Sequence, residues 1–165
     1  MMNRNNELKT LLVGLFVLSM MWGCASTGSK APPPTLTITP AKTVLSPVLI
    51  KKSPLEFSGK GFAPNEIVVI DLLLPPGITV KGANADEREI GIATADADEN
   101  GDFFTKMQPL ATLSWFFQVD FTPKGPDFKT MKPLPPRAYT VRALGMDSDR
   151  VCTAILELMP PPKKK

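Results

Sequence analysis

Eighteen prolines cut this chain into pieces too short for long helices. Between residues 35 and 159 they stand at Pro40, Pro47, Pro54, Pro64, Pro75-Pro76, Pro109, Pro123, Pro126, Pro133 and Pro135-Pro136, mostly between apolar runs. Proline breaks a helix interior and cannot donate to a β-ladder, so it collects at strand starts, edges and turns. Between the prolines the apolar residues recur with period two, as in strands that bury one face. Leu36 and Ile38 alternate with threonines, Leu55 and Phe57 with polar residues, and Ile90 and Ile92 with small ones. Ile67 to Leu74 is a nearly continuous apolar run, as a central strand would be. Phe103, Thr105 and Met107 share a face, as do Tyr139, Val141 and Ala143, and Cys152 to Leu158 closes the set. Leu113, Trp115, Phe117, Val119 and Phe121 fit one inward strand face, which leaves Phe116 on the other. No segment in this region shows three-four periodicity with caps. The prediction is an all-β chain of seven to nine strands, spaced as in an antiparallel sandwich.

Three motifs sharpen that fold. Gly59-Lys-Gly61-Phe62-Ala-Pro64-Asn-Glu66, Ala95-Asp96 through Asn100-Gly101-Asp102-Phe103, and Pro136-Arg-Ala-Tyr139-Thr-Val141-Arg-Ala143 resemble the small Ig-like domains of bacterial envelope proteins. Those domains commonly read G-x-G-F-x-P-x-E, A-D-x-x-G-x-F and P-G-x-Y-x-V-x-A. The resemblance implies an Ig-like β-sandwich over 35–159. Arg137 takes the place of the usual glycine, and Gly125 to Pro135 is a longer, proline-rich insertion. Motifs of this kind serve turns and core, so they specify a fold rather than an activity.

The N-terminal residues carry an address. Arg4 and Lys9 precede twelve uncharged, largely apolar residues, Leu11 to Trp22, and then Gly23-Cys24. Basic, apolar and small-residue regions in that order make a secretory signal. The apolar block is well short of the roughly 20 residues needed to cross a bilayer as a helix. Met21-Trp22-Gly23-Cys24 resembles the lipobox of bacterial lipoproteins, with Met21 and Trp22 where leucine and a small residue are usual. The resemblance implies cleavage between Gly23 and Cys24 and acylation of the Cys24 thiol, with palmitate-type chains. Ala25 and Ser26 lack the aspartate that retains some lipoproteins at the inner membrane, which favours the outer membrane in a two-membrane cell. The expected organisation is a signal peptide at 1–23, a lipidated, proline-rich tether at 24–34, the sandwich at 35–159 and a basic tail at 160–165. Two or more acyl chains hold a protein to a membrane stably.

Charge excludes one class of partner. Removing 1–23 takes Arg4, Lys9 and Glu7 away, and the net charge falls from +3 to +2. That balance does not suggest nucleic acid. With Cys24 acylated, Cys152 is the one free thiol, and the apolar alternation around it predicts a buried, inert cysteine rather than a redox site.

Four features remain as candidate contact sites. Asp96, Asp98, Asn100 and Asp102 offer oxygens at alternate positions, with Gly101 for a tight turn, as a calcium loop begins. Met107 stands where an EF-hand needs glutamate, so a solvated hairpin turn is the favoured reading and weak calcium binding the alternative. Phe116, opposite the apolar face, is a possible anchor for a partner. Lys124, Lys129, Lys132 and Arg137 stand in the long connection 123–137 against a single acid, Asp127. Connections of that length are functional or disordered more often than not. Lys163 to Lys165 end the chain after three prolines and suit an anionic surface.

Catalysis is not expected. The chain has no histidine, which removes the usual general base and imidazole metal ligation. No P-loop or dinucleotide fingerprint is present, and no cofactor is expected beyond possible weak calcium. The functional expectation is a non-catalytic, lipid-anchored envelope protein acting as a structural or protein-interaction module. The alternative is a ligand-binding module for calcium or cell-wall glycan.

Overall fold

The computed structural model describes residues 32–46, 54–84 and 86–161. They belong to one compact unit that begins at Pro32. It is all-β. Ten strands form in the described residues: β1 Thr35–Thr39, β2 Lys42–Val44, β3 Glu56–Lys60, β4 Ile67–Leu73, β5 Glu89–Asp96, β6 Phe103–Lys106, β7 Asp120–Thr122, β8 Gly125–Asp127, β9 Ala138–Gly145 and β10 Val151–Met159. One sheet has the order β1-β3-β6, a second the order β2-β10-β9-β4-β5, and β7-β8 is a separate hairpin. Neighbours run antiparallel except β2 and β10, which are parallel. The first strand of the domain is thus split: β1 joins the small sheet, and after a cis Thr39–Pro40 peptide β2 joins the large one.

The period-two pattern explains which faces are buried. Phe57 on β3 and Phe103 on β6 come from the small sheet, and Ile70, Leu72, Val141 and Leu156 from the large one; all lie in a single hydrophobic cluster. Burying such side chains stabilises by roughly 1.5–3 kcal/mol each. On the outer face of the large sheet, Arg142 of β9 ties Asp71 of β4 and Glu89 of β5 together at 2.6–2.7 Å.

Strand register gives the domain two poles. Lys60 pairs with Thr35, Ile67 with Asp96, Val68 with Gly145 and Val151 with Leu144, so these strand ends lie at one pole. Backbone bonds tie the β3-β4 and β5-β6 connections together there: Phe62 N donates to the Gly101 carbonyl at 3.1 Å and Ala97 N to the Glu66 carbonyl at 2.8 Å. Pro32 to Pro34 pass beside Gly61 at this same pole. Thr39 with Glu56, Glu56 with Lys106, Leu73 with Glu89 and Glu157 with Ala138 mark the opposite pole. The eight residues of β9 separate the two by about 25 Å.

Glu66 locks the first pole. It is only 1 % exposed, and its carboxylate accepts from Ala63 N (2.5 Å), Ser148 Oγ (2.8 Å), Ser148 N (3.0 Å) and Asp147 N (3.1 Å). Burial works to raise its pKa, but these donors outweigh it and hold the carboxyl below its ordinary value.

The stretch 109–121 corrects the strand reading. Pro109–Ala111 is a short helix, α1, and Thr112–Phe116 continues it as wider π-type turns. Thr112 Oγ1 donates to the Gln108 carbonyl at 3.1 Å, and Phe117 N to the Thr112 carbonyl at 3.1 Å. Neighbouring residues on such a turn do not alternate between faces, so Phe116 and Phe117 are both buried. Phe121, expected inside, is 48 % exposed.

Candidate contact surface

The far pole is built from the connection between β6 and β9, together with the loop after β4. Segment 131–135 folds back over the helical turn, where Lys132 N and Leu134 N each donate at 2.9 Å to the carbonyls of Phe117 and Phe116. The β7-β8 hairpin follows the turn, and Phe128–Thr130 forms a single 3-10 turn capped by Asp127, whose Oδ1 accepts from Lys129 N at 3.0 Å. The predicted long loop is therefore ordered by local turns and by hydrogen bonds across its base.

Lys124, Lys129, Lys132 and Arg137 are all exposed on the 123–137 connection. Among the described residues none of the four has an ion-pair partner. Asp127, the one acid expected to face them, spends Oδ1 on its turn. Phe116 does not join them: it is fully buried, and other apolar side chains, among them Phe121 that the sequence placed inside, face outward in its place. Phe121, Phe128 and Met131 are 48, 57 and 44 % exposed, respectively. Phe121 is expected inside only on a strand register that does not exist, and Phe128 and Met131 lie in a proline-rich connection with no period-two pattern to place them. Their presence in a segment where polar turn residues would suffice was the available signal.

The acidic loop lies at the other pole and makes a tight turn, but β5 and β6 on either side of it belong to different sheets, so it is a crossing between sheets and not the hairpin expected from the sequence. Asp98 Oδ1 accepts from Asn100 N (2.8 Å) and Asp102 N (3.0 Å), and these bonds lower the Asp98 pKa. Asp102 reaches Lys60 Nζ at 2.6 Å. Asp96 ends β5 opposite Ile67. Among the described residues no three acidic or thiol side chains converge as a metal site. Gly23, Cys24 and Lys163 to Lys165 lie outside the described residues.

Cys152 is half-buried on β10 and packs against the core. Burial pushes its thiol up to about 11. In a Cys24→Ala protein, where Cys152 is the only thiol, alkylation at pH 8 is expected to run on the order of a hundredfold slower than for a free thiol of pKa about 8.5. The rate should keep climbing up to about pH 11; a plateau near pH 9 would contradict the burial.

No protein-family model matches the chain, and no curated protein matches it. Among solved structures, one titled macromomycin is similar at 14 % identity and a TM-score of 0.42, over 76 % of this chain and 98 % of that one.

Proposed function

We propose that this chain is a non-catalytic, lipid-anchored protein of the bacterial envelope, on the outer membrane where the cell has two, whose β-domain is an Ig-like sandwich serving as an interaction module. Two details support the Ig-like reading. A first strand shared between sheets ordered β1-β3-β6 and β2-β10-β9-β4-β5 matches the usual layout of such domains, and Tyr139 OH donates to the Pro135 carbonyl at 2.9 Å, as in a tyrosine corner.

One observation carries the interaction reading. The segment that leads back to Cys24 leaves one pole, while the exposed lysines and aromatics occupy the other. A protein held by lipid at its N-terminus would therefore present that surface away from its point of attachment. Aromatic residues are enriched in protein interfaces, and unpaired basic residues around them speed and orient encounter.

Metabolic labelling with a palmitate analogue, combined with photo-crosslinking in cells, tests both halves. Label should enter the wild type and not the Cys24→Ala protein. A photoreactive residue at Lys129 should give discrete crosslinks that fall away in the Cys24→Ala form, and one at Glu99, on the acidic β5-β6 turn, should give none. An unlabelled wild type would remove the anchor. Equal crosslinking from both poles would remove the contact surface.

A further inference from the structure

We propose that the cleft between the Lys81-Gly82 turn and residues 114–121 is a binding site for a pyranose saccharide. The cleft has a volume of about 450 Å³ and is lined by Ser114, Trp115, Gln118, Phe121 and the Lys81–Asp120 pair, among others. That volume lies within the range of small-molecule sites, about 300–1,000 Å³.

Gln118 is the most telling residue. It is only 4 % exposed yet holds a positive φ of 49°, which side-chain-bearing residues rarely adopt. Its Oε1 accepts from Lys81 N at 3.0 Å. That bond fixes the amide orientation, because a backbone N–H requires an oxygen opposite it. The Nε2 group is thereby turned the other way; it is not among the buried side-chain atoms, so this donor opens into the cleft. A lining residue in an unfavoured conformation, with an amide donor open to the cleft, suits a ligand that supplies an acceptor.

The remaining groups narrow the chemistry. Trp115 is half-buried and Phe121 is exposed in the same cleft, so ring surface is available beside polar groups. Lys81 Nζ lies 2.5 Å from Asp120 Oδ1, and the two charges cancel. A site without net charge does not select an anion or a cation. A carboxylate and an ammonium side by side do offer an acceptor and donors to hydroxyl groups. Sugars in pyranose form present both requirements at once, an apolar C–H face and a rim of hydroxyls. The inference stands independently of the lipid anchor, since it uses residues of the β-domain alone.

The test is an NMR titration of the full chain in detergent micelles with two probes, cellotriose and the trisaccharide of N-acetylglucosamine, into the millimolar range. At least one should shift the indole N–H of Trp115 and the side-chain amide of Gln118 saturably. Phe121→Ala removes an exposed ring and should leave the rest of the spectrum in place while weakening binding about tenfold, or 1.4 kcal/mol. Trp115→Ala should weaken it at least as much, and Lys129→Ala, outside the cleft, should not change it. Silence from both sugars, or unchanged affinity in Phe121→Ala, would overturn the assignment.

Discussion

Replacing Glu66 with alanine is expected to lower the unfolding free energy by about 4 kcal/mol, read from denaturant midpoints at constant m-value. The carboxylate serves four donors from two loops, Ala63 on one side and Asp147 and Ser148 on the other. Removing it leaves partly buried N–H groups unpaired, each at a cost of about 1–3 kcal/mol where water cannot enter. Gly145 tests the same contact from the opposite side. A Cβ there would stand 2.5 Å from Glu66 Oε1 and 2.6 Å from Cδ, so Gly145→Ala must displace the carboxylate. Made together, the two changes should cost clearly less than their sum, because they break one arrangement. The pH dependence has a defined sign. The folded-state pKa of Glu66 is lowered from 4.5, so its contribution is complete above that value and fades as pH falls through the lower folded value. Glu66→Gln should flatten that part of the acid limb. An Ala variant within 1 kcal/mol of the wild type would show that the loops are held by other means.

The second large effect is expected at Gly101. Its φ is +76°, and a Cβ would run into the backbone carbonyl of Phe62, with Phe62 C at 2.9 Å and N at 3.2 Å. The neighbour cannot swing aside as a side chain might, because Phe62 N is itself bonded to the Gly101 carbonyl. Phe62 is buried and its ring meets that of Phe103 edge-on at 5.4 Å. Gly101→Ala therefore combines a left-handed backbone, at about 1–2 kcal/mol, with displacement of a core aromatic. A loss of about 3 kcal/mol is expected by the same denaturant measurement, together with altered shifts for Phe62 and Phe103. A near-neutral Gly101→Ala would mean that the β5-β6 turn can move away from the loop after β3 without cost.

Period two located the buried face of nearly every strand, because a half-buried sheet imposes it directly. Phe57, Ile90, Ile92, Tyr139 and Val141 are all inside as the alternation requires. The pattern misled where five alternating apolar residues, Leu113 to Phe121, met a proline at 109 and a threonine able to bond back to Gln108. Local bonding then favoured a helical turn over a strand. The lysines of the insertion were legible because exposure is their default. The Gln118 cleft was not, since it depends on a turn at 81–82 approaching from far along the chain. Glu66 sat within a recognised motif, but only its partners, 81 and 82 residues downstream, explain why a glutamate belongs there.

The chain enters the β-domain at one pole and leaves β10 at the other, while β2 runs parallel to β10 through Glu157 with Lys42 and Met159 with Val44. A pull between the two ends of the domain is therefore directed along the strands. The β1-β3 and β2-β10 hydrogen bonds would have to slide together, instead of opening singly from an end. This geometry lets the domain carry tension lengthwise, from one pole to the other.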